Sequence, residues 1–152
     1  MSDTKNNLEA AFAGESQANR TYLAFAKKAE EEGQNAVARL FRAAAAAETV
    51  HAHNHLNVLK GVASTLENLQ AAYEGEHHEF SKMYPEFLDV AKKEKESDAI
   101  QSFYWANEVE KVHGRLYQKA IDAMKGGQAI PVKATGVVRV PYSDHLPVWV
   151  EI

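Results

Sequence analysis

Apolar residues recur along the first 125 positions at the spacing of a helix face. Leu8, Ala11 and Phe12 open the pattern, and Tyr22, Phe25, Ala26 and Ala29 continue it. Proline is absent before Pro85, and glycines are sparse. The pattern predicts four long helices. The first runs from about Thr4 to Glu32 and stops at Gly33; the second runs from about Asn35 to Lys60 and stops at Gly61. Ser64 and Glu67 have the S-x-x-E spacing of a capping box and open the third, which runs to about Glu94. Pro85 lies inside it and removes a backbone hydrogen bond, so a kink is expected there. The fourth starts near Ser97 or Asp98 and ends at Gly126–Gly127. The fold expected over residues 1–126 is all-α, a four-helix bundle. From residue 127 the character changes. The stretch 127–152 holds three of the four prolines and is rich in valine, which reads as a short appendage of strands and turns.

The helical part repeats. Asn7, Leu8, Ala10, Ala11, Gly14 and Glu15 match Asn68, Leu69, Ala71, Ala72, Gly75 and Glu76 at an offset of 61. Farther on, Glu48 and His51 match Glu110 and His113 at an offset of 62. Residues 7–60 and 68–125 read as a duplicated helical hairpin. Duplication places equivalent side chains around a pseudo-two-fold axis, a ready way to build a site for two metals.

The repeated residues carry the chemistry. Glu48-Thr-Val-His51 and Glu110-Lys-Val-His113 are both E-x-x-H, and residues three apart share a helix face. Glu15 and Glu76 offer one further carboxylate from each of the other two helices. One such pair is a weak signal, since surface Glu/His pairs are common. Two pairs and two glutamates in register across a repeat form the di-iron carboxylate pattern. Four carboxylates nearly neutralise two divalent ions and can bridge them, while imidazole is a borderline ligand that suits iron. His53 and His55 turn away from the His51 face at about 100° per residue, and read as surface or neighbouring groups. His77 and His78 flank Glu76 and read as peripheral.

Composition narrows the class. Apolar residues make up 45% and charged residues 25% of 152, an ordinary soluble composition. A net charge of -4 argues against nucleic acid as a partner. No apolar run approaches the roughly 20 residues that span a bilayer, and the N-terminus lacks the features of a signal peptide. A cytoplasmic protein is expected. The absence of cysteine removes disulfides, thiol catalysis and zinc–thiolate sites. A metal must be held by Glu, Asp and His: iron, with manganese or zinc as substitutes.

The segments AFAGESQANRTYLAFA, AAAETVHAH, ENLQAAYEGEHHEFSKMYPEF and ANEVEKVHGRLY resemble the ferritin-like domain of rubrerythrins over about residues 5–124. The resemblance implies a di-iron centre that reduces hydrogen peroxide to water in oxidative-stress defence. Glu15, Glu48 and His51 would serve one iron, and Glu76, Glu110 and His113 the other, with Glu48 and Glu110 bridging. Glu79 matches a further glutamate that replaces the histidine when iron is oxidised, so one iron would move between His51 and Glu79. Tyr22 and Tyr84 match tyrosines near the metals, although core packing explains them nearly as well. Members commonly end in a rubredoxin-like module with two C-P-x-C knuckles. Ile130-Pro-Val-Lys133 and Leu146-Pro-Val-Trp149 resemble those knuckles with every cysteine replaced. Four thiolates are what that iron needs, so the tail reads as a degenerate relic. Electrons would then come from an external donor, a separate rubredoxin or a flavoprotein.

The resemblance also implies parallel second and third helices. A join of residues 61–64, extended, spans at most about 14 Å, against nearly 40 Å for a helix of about 26 residues. A domain-swapped homodimer is expected, with each di-metal site drawing on two chains. Three competing readings stand beside peroxide reduction: metal binding or storage without turnover, an O2-reactive oxidase, and a plain helical interaction module. The last leaves costly buried carboxylates unexplained. The absent relay favours storage, whereas a seventh ligand at Glu79 favours turnover.

Overall fold

The computed structural model of the chain describes residues 3–130, 134–137 and 148–151. Five α-helices follow in order: α1 (Asp3–Glu31), α2 (Asn35–Val58), α3 (Thr65–His78), α4 (Tyr84–Glu94) and α5 (Ser97–Lys125). A π-helical turn, Glu79–Met83, joins α3 to α4. Two short strands close the chain, β1 (Ala134–Val137) and β2 (Val148–Glu151). They pair antiparallel, with Ala134 opposite Glu151 and Val137 opposite Val148. Pro131, Val132, Lys133, Leu146 and Pro147 of the knuckle-like segments lie outside the described residues. No helix among the described residues is long and apolar enough to cross a membrane.

The chain divides into two units, Met1–Ala63 and Ser64–Ile152. The first is an antiparallel hairpin of α1 and α2. Its register is set near the turn by Arg42, whose guanidinium bonds Glu30 at 2.8 Å. Farther along, the Asn19 amide donates to the Ala45 carbonyl at 2.6 Å and to Thr49 Oγ1 at 2.8 Å. Small residues let the two axes close. Ala38, Ala45 and Ala52 recur every seventh position along α2, and all are buried, as are Ala26 and Ala29 of α1. Larger apolar side chains point outward, and Leu40 is 67% exposed.

The second unit repeats this hairpin with α3 and α4 packed along α5. Ser64 caps α3 in the expected capping box: its hydroxyl accepts from the Glu67 N–H, and the Glu67 carboxylate accepts from the Ser64 N–H. Tyr22, Phe25 and Phe41 of the first unit recur as Tyr84, Phe87 and Phe103 at an offset of 62. Their ring spacings match. Tyr22 lies 6.3 Å from Phe41, and Tyr84 lies 6.3 Å from Phe103. The helix ends match too. Gly33 closes α1 at φ 74°, and Lys95 closes α4 at φ 62°, again 62 positions on.

Glu15 and Glu76, however, match at 61. The second half therefore holds one extra residue between Glu76 and Tyr84, where the π turn lies. A π turn is how an α-helix absorbs a single inserted residue. Its N–H from Tyr84 reaches back five residues to the Glu79 carbonyl. The third helix, expected as one piece to about Glu94 with Pro85 inside it, is instead two helices joined by this turn. A proline inside an α-helix clashes with the carbonyl four residues back, and the wider turn just before it relieves that contact. Pro85 becomes an early residue of α4, a position that needs no N–H.

Candidate metal centre

Each unit gathers one glutamate–glutamate–histidine group. In the first, Glu15 comes from α1 and Glu48 and His51 from consecutive turns of α2. In the second, Glu76 comes from α3 and Glu110 and His113 from α5. Within each group the ligand atoms lie within 4.8 Å of one another. His51 Nδ1 is 2.8 Å from Glu48 Oε2 and 3.9 Å from Glu15 Oε1. His113 Nδ1 is 2.7 Å from Glu110 Oε2 and 3.6 Å from Glu76 Oε1. Six of the seven residues expected as ligands therefore meet as two half-sites of like geometry.

Their surroundings differ. The His51 side chain is 53% exposed and that of His113 30%. In the more enclosed half-site, burial and the adjoining Glu110 carboxylate raise Glu76 to about 7. Two carboxyl groups held this close retain a proton near neutrality unless a cation replaces it. That chemistry, with an imidazole beside each acid pair, fits a divalent metal with oxygen and nitrogen ligands.

Glu79 belongs to neither three-residue group. It opens the π turn, half-buried. Together with burial, its charge and those of Glu110 and Glu76 raise the Tyr84 phenol above its usual range. Tyr84 is thus beside the second half-site. Tyr22 occupies the corresponding place in the first aromatic cluster, against Phe25 and Phe41. His53, His77 and His78 are exposed, and the His77 ring packs against Tyr73 and Phe80 at 5.9 and 5.1 Å.

Two residues went unread in the sequence. Tyr117 lies four positions after His113 and seven after Glu110, on one face of α5. Burial, Glu76 and Glu110 raise its phenol above the usual range. The i+4 and i+7 spacing was the available signal. Asn107 precedes Glu110 by one turn and is buried at 7% exposure. Its Oδ1 accepts no hydrogen bond from the protein. No sequence pattern announces a buried amide of this kind.

The rubrerythrin family model matches residues 6–121. Rubrerythrin-2 of Clostridium acetobutylicum is 37% identical over 143 residues, spanning 85% of this chain and 78% of the relative. Nigerythrin of Nitratidesulfovibrio vulgaris is 37% identical over 134 residues, spanning 79% of this chain and 66% of the relative. Rubrerythrin of Porphyromonas gingivalis is 34% identical, spanning 83% and 70%. Among solved structures, the fully reduced, all-ferrous state of nigerythrin aligns at a TM-score of 0.41, with 37% identity over 82% of this chain and 69% of that one. Its mixed-valent state aligns at 0.47, with 32% identity over 99% and 78%. With the family match over most of its helical part and two Glu–Glu–His half-sites in place, the chain belongs to the rubrerythrin family, whose domain is of the ferritin-like, di-iron kind.

Proposed function

We propose that the protein is a peroxide reductase that uses two irons and an external electron donor: hydrogen peroxide, two electrons and two protons give two waters. One observation carries the reading. Two Glu–Glu–His groups stand at equivalent places of a duplicated hairpin, in a family of di-iron proteins. Iron would be held by Glu15, Glu48 and His51 and by Glu76, Glu110 and His113, and it would supply the two electrons and the Lewis acidity. Manganese or zinc would fill the same donors without the same redox chemistry.

The chain's own residues shape the rest. The family resemblance would make Glu48 and Glu110 the carboxylates shared by the two irons; each already meets its own histidine, at 2.8 and 2.7 Å. Glu79 would offer an alternative oxygen donor to His51 when charge at the site rises. Tyr84 and Tyr117, whose raised pKa values keep their hydroxyls protonated, would donate hydrogen bonds to the Glu76–Glu110 carboxylates. Tyr22 would do the same at the first half-site. The tail, 127–152, has no cysteine with which to hold a relay iron, so the electrons would come from a separate rubredoxin or flavoprotein in the cytoplasm.

The two half-sites would combine between copies of the chain. Residues 59–64 separate α2 from α3, and six extended residues span at most about 21 Å. The 24 residues of α2 extend about 36 Å. The parallel α2 and α3 that the family resemblance implies would therefore not be reached within one chain. Apolar side chains that each hairpin exposes, such as Leu40 and Val90, would then be covered in a domain-swapped homodimer. Native mass spectrometry of the iron-loaded protein tests this: a dimer is expected, and a monomer with full metal content would contradict it. Anaerobic loading followed by mixing with peroxide or O2 tests the activity. Faster oxidation by O2 would favour an oxidase, and iron inert to both would favour storage.

A further inference from the structure

The internal duplication supplies a control within the molecule. Where the halves agree on the ligand faces, they serve what both half-sites need. Where they differ, one half-site has something the other lacks. The second half has Glu79 where the first has Ala18, Tyr117 where it has His55, and Asn107 where it has Ala45. Asn107 is the least expected of these. Ala45 is 1% exposed within the alanine stripe of α2, so the position accepts a small apolar side chain. Asn107 is as good as sealed too, and it is the one buried polar side chain among the described residues. Its Oδ1 finds no donor in the protein. A buried amide oxygen left without a donor forfeits its bond to water and gains nothing in return. An asparagine there weakens the fold unless a ligand donates to it.

Its location names the ligand class. Asn107 lies three residues before Glu110 and four after Phe103, on one face of α5. The Phe103 ring stands 6.3 Å from that of Tyr84, and Tyr84 feels the charges of Glu79, Glu110 and Glu76. The amide thus sits one helical turn from the carboxylates, toward the aromatic cluster. Carboxylates accept hydrogen bonds but do not donate them once metal-bound. No donor of this chain reaches Oδ1, the Tyr84 and Tyr117 hydroxyls included, and a small hydroxyl-bearing molecule, water or hydrogen peroxide, can supply one. We propose that Asn107 Oδ1 accepts a hydrogen bond from hydrogen peroxide and holds it beside Glu110 at the second half-site. This inference rests on the peroxide reading above. The first half-site, with Ala45, has no such acceptor, so peroxide is held asymmetrically and its O–O bond is oriented before reduction.

Two variants test it. Asn107→Leu keeps the branched shape of the side chain, at somewhat larger volume, and removes the acceptor; Asn107→Ala reproduces Ala45. Both are expected to bind iron at wild-type stoichiometry, and the leucine variant is expected to melt at or above the wild-type temperature without metal. The second-order rate constant for peroxide should fall by about tenfold or more, the scale of one lost hydrogen bond to a ligand. A direct reading uses zinc-loaded wild-type protein, in which peroxide is not consumed. The Asn107 side-chain amide resonance should shift saturably as peroxide is added. Unchanged rate constants in both variants, or metal-free melting lowered in both, would overturn the proposal. So would an amide resonance indifferent to peroxide, which would make Oδ1 a water acceptor only. Wild-type protein that binds iron yet ignores peroxide would sink the functional reading itself, and the zinc titration would still judge Asn107 separately.

Discussion

His113 Nδ1 lies 2.7 Å from Glu110 Oε2, one turn away on the same helix, and the equivalent pair His51–Glu48 repeats that contact at 2.8 Å. Equal geometry arises from equal spacing on two copies of one hairpin. Unequal enclosure is what distinguishes them. The second pair is more buried, and its carboxylates act on the Tyr84 and Tyr117 phenols, so the two half-sites have the same ligand types in different surroundings.

That difference sets a pH dependence. Burial and the adjoining Glu110 carboxylate raise Glu76 from 4.5 to about 7 in the folded protein. The folded state therefore binds a proton that the unfolded chain has released between those values. The stability this group contributes is full below about 4.5 and is lost as pH rises through about 7. Urea unfolding of metal-free protein should show that decline, and Glu76→Gln should flatten it. A divalent ion takes the proton's place, so metal affinity should rise over the same pH interval.

The π turn makes a structural prediction. Deleting Ser81 restores the 61-residue offset and an α-helical path, but it leaves Pro85 inside a continuous helix. A proline there costs about 3 kcal/mol or more. The deletion alone should destabilise by roughly that amount. Combining it with Pro85→Leu, the residue that Leu23 supplies in the first half, should recover most of the loss. Chemical denaturation of the four proteins in this cycle measures the coupling, and simple additivity would show that bulge and proline are unrelated.

Lys95 holds a left-handed conformation that its counterpart Gly33 adopts freely. Strain at such a residue is about 1 kcal/mol. Lys95→Gly should raise unfolding stability by up to that amount without changing iron stoichiometry. A loss of stability would mean that the lysine side chain makes a compensating contact.

Much of this was legible in the sequence. Helix ends at Gly33 and Ser64 carry their own capping chemistry, and E-x-x-H spacing places Glu48 with His51 and Glu110 with His113 whatever the tertiary structure. Helix α2 was read two residues too long because Leu59 and Lys60 close it in a turn, with Lys60 at φ 55°. The π turn was not read, since apolar periodicity continues across it. Its trace was the change of offset between Glu15/Glu76 and Tyr22/Tyr84. Asn107 could not be read at all: burial and the absence of a donor are properties of packing, and asparagine is ordinary on a helix surface. Glu79 was read from the resemblance; it follows Glu76 by three positions and stands outside both three-residue groups.

The most direct test loads the metal-free protein anaerobically with two Fe(II) per chain and mixes it with hydrogen peroxide in a stopped-flow instrument, with dissolved O2 in parallel. The predicted result is rapid oxidation of both irons by one equivalent of peroxide per pair, far faster than by O2. Failure to bind iron, or bound iron that peroxide does not oxidise, would contradict the assignment of Glu15, Glu48, His51, Glu76, Glu110 and His113 to a peroxide-reducing centre.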